Sequence, residues 1–253
     1  MLNINKDLDD HSICFISNVN NEAEYEGAKK AILELEIPFG YKVEILGVRH
    51  AVSMAAGYQQ AMAASNAKYK IYLHQDVFVI NPRLINNLLE IFQADSKVGM
   101  IGVAGTIKLL HEHPVWWDSP LTSLFGTCYT RLSESEMVRN YYGEVPGGPG
   151  AYVHVAAIDG LFMATQYDLP WRADLFHGWH FYDISQSREF INAGYKVVIP
   201  DVRIKIEQVK MRISHSPNRG IIETGGISPW QTILTSNLSW MQSSTTRNMR
   251  SLG

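Results

Sequence analysis

Acid and imidazole side chains stand where an apolar strand is predicted to end. The stretch KYKIYLHQDVFVINP, residues 68–82, has an apolar run that stops at His74, Gln75 and Asp76 and then resumes. In open α/β sheets, ligands collect at the carboxyl ends of the strands. His74 and Asp76 are therefore candidates for a ligand site. The alternative is a simple turn in which Asp76 binds nearby backbone amides.

A second candidate is a carboxylate at a predicted helix start, in HGWHFYDISQSREFINAG, residues 177–194. Asp183 occupies the predicted N-cap, Gln186 follows three residues later as in a capping box, and Gly194 fits the C-terminal stop. Capping alone would explain Asp183. A carboxylate held in one orientation at a helix start also suits a general base.

Aromatic and imidazole residues near these acids are further candidates. Trp179 and Tyr182 would form an aromatic wall against a sugar ring, or they pack in the core. His215, in MRISHSPNRG, follows a predicted strand and is either a ligand or a satisfied surface residue. The segments HEH (111–113) and HGWH (177–180) suggest a metal-dependent hydrolase, but neither has the helical His-x-x-x-His spacing of a zinc protease.

The composition excludes several classes of protein. The chain has 253 residues and a formal net charge of -3, which argues against nucleic acid as the main partner. No apolar run reaches about 18 residues, so no transmembrane helix is predicted. The N-terminus has no apolar signal-peptide core, and two cysteines suit a reducing compartment. We expect a cytoplasmic protein. GxGxxG, phosphate-loop and GxSxG motifs are absent from the sequence.

The elements that must position the candidate residues alternate along the first hundred residues. Apolar strands are predicted at 12–17, 41–48, within 68–82 and at 98–105, with helical patterns between them. This βαβ alternation predicts a mostly parallel sheet with helices on both faces. Residues 105–151 have many aromatic residues and a PGGPG segment, which indicates long loops with short elements. Strands, one helix and a C-terminal covering helix from Pro229 are predicted beyond them.

In this order the segments resemble a nucleotide-sugar glycosyltransferase of the inverting family 2 type, and within it a bacterial branch with HQDV in place of Asp-X-Asp. The similarity covers about residues 12–220. It rests on NVNNE, GYQQAMAAS, YKIYLHQDV, AAIDGLFMAT, GWHFYDISQSREFINAGYKVVIPDV and ISHSPNRG.

The resemblance implies one α/β domain with a GT-A fold, in which helices flank a Rossmann-like, mostly parallel central sheet and a smaller sheet lies on the acceptor side. Residues of about 12–105 would bind the nucleotide-sugar and those of about 106–220 the acceptor, followed by a tail at 221–253.

The resemblance also assigns a metal site. Asp76 would bind a divalent metal, Mn²⁺ or Mg²⁺, or face the diphosphate through it. His74 stands at the place of the first carboxylate, so the motif has one carboxylate where most relatives have two. His215 matches the histidine that completes the metal or diphosphate site.

Further roles follow from the same resemblance. Asp183 matches the catalytic base, and Asp159 would face the donor sugar or the acceptor. Asn18 and Glu22 would line the nucleotide pocket. Trp179 and Tyr182 remain the candidates for acceptor binding.

The implied reaction is an inverting transfer from a nucleotide-diphosphate sugar, with UDP as the expected nucleotide, to a glycan, lipid-linked or cell-wall acceptor in polysaccharide biosynthesis. Peripheral association with the inner face of the membrane would be compatible with it. Two alternatives stay open. The first is a non-catalytic nucleotide-sugar or carbohydrate-binding module on the same fold. The second is a hydrolase with a zinc site of at least three protein ligands.

Overall fold

The computed structural model describes residues 7–111, 114–131, 135–147, 150–201 and, as backbone only, 206–209. These residues belong to one compact unit that covers residues 1–211. None of the described helices is long and apolar enough to cross a membrane. The described α-helices are α1 (Glu22–Leu33), α2 (Met54–Ala64), α3 (Leu84–Ala94) and α4 (Tyr182–Asn192).

Thirteen strands and two short 3₁₀ turns (Trp116–Asp118 and Leu121–Ser123) complete the described elements. The strands are β1 (Asp9–Val19), β2 (Lys42–Arg49), β3 (Ala67–Leu73), β4 (Val77–Val79), β5 (Val98–Gly102), β6 (Ala104–Thr106), β7 (Leu124–Arg131), β8 (Met137–Gly143), β9 (Tyr152–His154), β10 (Ala157–Ile158), β11 (Phe162–Thr165), β12 (Lys196–Pro200) and β13 (Ile206–Val209).

The larger sheet has seven strands in the order β2-β1-β3-β11-β5-β12-β9. Strand β1 pairs in parallel with β2 and β3, and β12 pairs in parallel with β5. Strands β11 and β9 are antiparallel to their neighbours. The predicted mostly parallel central sheet is thus confirmed, and the carboxyl ends of β1, β2 and β3 meet at one edge.

Both faces of this sheet are covered by helices, because successive side chains of β1 are buried on opposite faces. Ile13 and Phe15 belong to one buried cluster, which includes residues of α1 and α3. Cys14 and Ile16 point the other way, into a cluster that includes residues of α2 and α4. Successive strand side chains face opposite sides of a sheet, so an unbroken apolar strand identifies a sheet buried on both faces.

A second, smaller sheet contains the short and later strands. Its order is β10-β6-β7-β13-β4, with β8 paired to β7, and all pairs except β7–β13 are antiparallel. Two predictions are corrected by this sheet. Residues 105–151 contain the β7–β8 hairpin rather than mainly loops. The apolar run of 68–82 divides after Leu73, and β4 pairs with β13 instead of continuing in the larger sheet.

Local capping explains where the first two helices begin. The Asn21 side chain accepts hydrogen bonds from the backbone N–H groups of Ala23 and Glu24 at the start of α1. Ser53 accepts one from Ala56 at the start of α2. Helix α3 has no side-chain cap, and its apolar face is buried instead. The predicted covering helix from Pro229 lies outside the described residues.

Candidate active site

A cavity of about 540 Å³ opens at the carboxyl ends of β1, β2 and β3. Its size is within the range of small-molecule sites, about 300–1,000 Å³. Five predicted site residues from three separate segments of the chain line it together: Asn18, Glu22, His74, Asp76 and Trp179. The structure therefore brings four of the five predicted donor-binding residues and one predicted acceptor residue to one place, whereas Asp159 does not line the cavity.

Gln75 shapes this cavity by tying the end of β3 to the start of α1. Its Oε1 accepts hydrogen bonds from the backbone N–H groups of Asn20 and Asn21, at 2.8 and 3.0 Å. Its Nε2 donates to Asn20 Oδ1 at 2.5 Å and to Glu24 Oε2 at 3.2 Å. No role for Gln75 is predicted from the sequence. The one sequence feature that pointed to Gln75 was its place between His74 and Asp76, where the apolar run ends.

The charges around the cavity are mainly negative. Arg49 is the one lysine or arginine among the described residues that line it, and three lining residues are acidic: Glu22, Glu24 and Asp76. Arg49 is already engaged with Glu22 through two bonds, Nε–Oε1 at 2.6 Å and Nη2–Oε2 at 2.7 Å. A bidentate pair of this geometry holds the arginine in place. The described residues therefore give the cavity little free positive charge for an anionic ligand.

Two residues beside the site have left-handed backbone conformations that non-glycine residues rarely adopt. His50, which lines the cavity at the end of β2, has φ 57°, and Phe181, just before α4, has φ 65°. Such conformations cost about 1–3 kcal/mol and cluster at functional sites. The sequence had no signal for either.

Trp179 and Tyr182 have different environments. Trp179 is 50% exposed at the cavity, and its segment is held by a hydrogen bond from the N–H of Met54, at the start of α2, to the carbonyl of Gly178. Tyr182 is 4% exposed and packs against Tyr58 and Trp171. Trp179 is thus available to a ligand, whereas the ring of Tyr182 has the core-packing role that the sequence left open.

The Tyr182 hydroxyl nevertheless reaches the cavity wall. It lies 2.6 Å from His74 Nε2, although the two residues are 108 positions apart in the sequence. A Cβ on Gly160 would collide with this hydroxyl, so the close packing needs a glycine there.

Asp183 is buried in the first turn of α4. The predicted N-cap role is wrong, because the helix begins at Tyr182 and Phe181 is the N-cap. Gln186 does not complete a capping box either, since its Nε2 donates to the carbonyl of Leu169. The predicted stop at Gly194 agrees with its φ of 85° just after the helix.

Two backbone groups hold the Asp183 carboxylate. Its Oδ2 accepts from Gly160 N–H at 3.0 Å and its Oδ1 from Ile184 N–H at 2.9 Å. Burial, and after it the nearby charge of Asp159, raise the pKa of Asp183 to about 7, although the two backbone bonds act in the opposite direction. A carboxylate with this pKa accepts a proton readily near neutral pH.

Asp159 immediately precedes Gly160, whose N–H binds the Asp183 carboxylate. It follows β10, and its Oδ1 accepts from the N–H of Leu161 at 2.6 Å. The DG dipeptide of the sequence therefore forms a turn, and the Gly160 N–H of this turn binds the first turn of α4.

The predicted metal ligand His215 lies outside the described residues, as does most of HEH (111–113). Among the described residues, the one cluster of three potential metal ligands is Asp9, Asp10 and His11. It stands at the start of β1, about 30 Å along the strand from Asn18, since a strand rises about 3.3 Å per residue. No zinc site of three protein ligands forms around His177 and His180 in the part of the chain that is described.

Comparison with known proteins gives a family and a fold. The model of a family described as "Glycosyltransferase like family" matches residues 14–213. No curated protein matches the sequence significantly.

Two solved structures resemble the chain at low sequence identity. GalNAc-T7, solved with UDP, GalNAc and Mn²⁺, has a TM-score of 0.60 and 10% identity, and the match covers 92% of this chain and 49% of that one. S. aureus TarS 1–349, in complex with UDP-GlcNAc, has a TM-score of 0.52 and 7% identity, with 90% and 65% covered. The chain thus spans about half of the GalNAc-T7 chain and less than two thirds of TarS. The likeness confirms the predicted GT-A fold.

Proposed function

The chain belongs to the glycosyltransferase-like family, and we propose that it transfers a sugar, with inversion, from a nucleotide-diphosphate sugar to a glycan or similar acceptor. UDP is the nucleotide to test first, because GalNAc-T7 was solved with UDP and TarS with UDP-GlcNAc. We place the donor in the cavity at the ends of β1, β2 and β3, within the proposed nucleotide-binding half at about 12–105.

One observation carries this proposal. The pair Asn18 and Glu22 is about fifty positions from the pair His74 and Asp76 in the sequence, yet all four residues line a cavity that is large enough for a nucleotide. Parallel strands bring their carboxyl ends to one edge, which is where α/β proteins bind nucleotides. Asp183 follows Tyr182 at the start of α4. The Tyr182 hydroxyl is hydrogen-bonded to His74, which lines the cavity.

The donor set fits a hard divalent cation such as Mn²⁺ or Mg²⁺. Carboxylate oxygens favour these ions, and the one arginine at the cavity is already paired with Glu22. The described residues of this mainly acidic cavity therefore offer a diphosphate little positive charge, which a bound cation would supply. Asp76 would hold the ion, with His215 as the second ligand that the resemblance suggests. A bound ion would stabilise the negative charge that the departing diphosphate gains.

Asp183 would act as the base. The acceptor oxygen attacks the anomeric carbon, the bond from that carbon to the diphosphate oxygen breaks, and the nucleoside diphosphate leaves with the electron pair. Asp183 takes the proton of the acceptor hydroxyl. Each carboxylate oxygen accepts one hydrogen bond from a backbone N–H and has a second lone pair for this proton. A single displacement inverts the anomeric configuration.

Trp179 would supply the surface for the acceptor or the donor sugar. Its ring is half exposed at the cavity, and aromatic rings offer flat apolar faces to sugar rings. Asp159, beside Asp183, would face the sugar that is transferred. The acceptor is proposed as a lipid-linked or cell-wall glycan.

Slow hydrolysis of nucleotide-sugars tests the proposal. Purified protein is incubated with UDP-sugars and Mn²⁺, and release of UDP is compared between wild type and Asp183→Asn. We expect UDP release above background in the wild type and much less in the variant. Tight binding of UDP without release or transfer from any donor would instead support the non-catalytic binding module.

A further inference from the structure

We propose that Tyr182 fixes the tautomer of His74, so that His74 offers an N–H donor, rather than a metal-binding lone pair, to the diphosphate of the donor. The proposal rests on the proposed function only for the identity of the ligand. His74 stands where the Asp-X-Asp motif of the resemblance has its first carboxylate. The proposal gives its imidazole a different role from that carboxylate.

The geometry that carries this inference is one hydrogen bond. His74 lines the cavity, and its Nε2 lies 2.6 Å from the Tyr182 hydroxyl. Its backbone N–H is also bonded, to the carbonyl of Leu161. Because Nε2 is engaged by the protein, Nδ1 is the ring nitrogen that remains for a ligand.

The direction of the bond follows from the surroundings of the tyrosine. Tyr182 is 4% exposed, and within the described ranges its hydroxyl has one hydrogen-bond partner, His74 Nε2. If Nε2 carried the proton and donated it, the hydroxyl hydrogen of Tyr182 would be buried with no described acceptor. An unsatisfied buried donor is costly. The hydroxyl therefore donates to Nε2, and the imidazole proton lies on Nδ1.

His74 and Asp76 of the HQD tripeptide would therefore bind different parts of the ligand. An Nδ1–H group cannot ligate a metal, but it can donate a hydrogen bond to a phosphate oxygen. His74 would then bind the diphosphate directly, and Asp76 alone within the tripeptide would be left for the cation. Tyr182 acts as a positioning residue, because it reaches the ligand only through His74.

The tautomer can be measured without any ligand. In protein labelled with ¹⁵N-histidine, at a pH well above about 6.5 so that imidazoles are neutral, ¹⁵N shifts and long-range ¹H–¹⁵N correlations show which ring nitrogen carries the proton. His74 is one of nine histidines and is assigned by the signals that His74→Gln removes. We expect the proton on Nδ1 in the wild type and a mixture of tautomers in Tyr182→Phe.

A matched control is Tyr58→Phe. Tyr58 lies in the same buried aromatic group, 5.8 Å from the Tyr182 ring, but its hydroxyl donates to the carbonyl of Leu73 and not to His74. The His74 tautomer should remain unchanged in this variant. A proton on Nε2 of His74 in the wild type would overturn the proposal, and so would the same tautomer in wild type and Tyr182→Phe.

Binding of UDP tests the second half, by NMR titration with Mn²⁺ and, separately, with EDTA. His74→Gln keeps an acceptor for Tyr182, but when its amide oxygen accepts that bond its NH₂ group does not stand at the place of Nδ1. It should weaken UDP binding about tenfold in both buffers, since one hydrogen bond to a charged group is lost. Tyr182→Phe should weaken it by about twofold or more, because the competent tautomer is only partly populated.

The outcomes separate the two proposals. A loss of affinity in His74→Gln that appears only with Mn²⁺ would make His74 a metal ligand and overturn the assignment. A wild type that binds no UDP in either buffer would instead count against the proposed function, while the tautomer measurement would still decide the role of Tyr182.

Discussion

Asp183 and Gly160 are joined by a hydrogen bond of 3.0 Å from the Gly160 N–H to the Asp183 carboxylate. This bond joins the first turn of α4 to the turn after β10. It fixes one oxygen of a buried carboxylate, and Ile184 N–H fixes the other. A general base needs one orientation and a pKa near the working pH, and Asp183 has both.

Asp183→Asn should lower the rate of sugar transfer by about 10²–10⁴-fold, the usual contribution of a general base. Binding of UDP should be nearly unchanged, because Asp183 does not line the donor cavity. Turnover and UDP affinity measured on the same preparations test this. Turnover equal to that of the wild type would remove Asp183 as the base.

The pH dependence of transfer should follow the ionisation of Asp183. The base acts when it is ionised, and its pKa is raised to about 7, so kcat should fall as the pH decreases below about 7. The charge of Asp159 contributes to this raised pKa. Asp159→Asn keeps an oxygen for the Leu161 N–H but removes the charge, and it should move the acidic limb of the profile to lower pH. An unshifted limb in this variant would contradict the coupling.

Asp76→Asn should weaken UDP binding in Mn²⁺ and should have little effect in EDTA. The amide oxygen is a poorer ligand for a hard cation than a carboxylate, and Asp76 is the proposed protein ligand at the cavity. Calorimetry of UDP with and without Mn²⁺ measures the difference. If Mn²⁺ changes the affinity of variant and wild type equally, Asp76 does not hold the metal.

Gln75→Glu should destabilise the loop between β1 and α1. A carboxylate there would lose the two donor bonds and face Glu24 Oε2 and Asn20 Oδ1. The expected loss is about 1–3 kcal/mol in the free energy of unfolding, together with weaker UDP binding.

Gln93→Glu is the control for Gln75→Glu. Gln93 donates one bond to the Tyr41 hydroxyl, which can reverse its direction and donate to a carboxylate. Denaturant unfolding should show little change for this variant. Equal stability of Gln75→Glu and wild type would show that the hydrogen bonds of Gln75 do not stabilise this loop.

Gly160→Ala should destabilise the fold and reduce transfer, because the new Cβ would collide with the Tyr182 hydroxyl. Overpacking of this kind costs about 1–3 kcal/mol. Gly178→Ala is the matched control, since its Cβ would meet no heavy atom within 4 Å. The midpoints of thermal unfolding should differ clearly between the two variants, and similar midpoints would refute the tight contact.

Much of the fold was predictable from local pattern. Alternating strand and helix signals over the first hundred residues identified the parallel sheet, because buried strands and amphipathic helices have different apolar periods. The β7–β8 hairpin was missed because its outer strand is largely exposed, so its residues show no apolar alternation.

By itself, the sequence determined that His74 and Asp76 follow an apolar strand and that Asp183 stands near a helix start, because strand and helix ends depend on local residue types. Only the tertiary structure decided what these side chains meet. The bonds of Gln75 to Asn20, of His74 to Tyr182 and of Asp183 to Gly160 join residues 55, 108 and 23 positions apart. Such pairs form when α1 and α4 pack on the sheet, and side-chain packing between distant segments leaves no periodic signal in the chain.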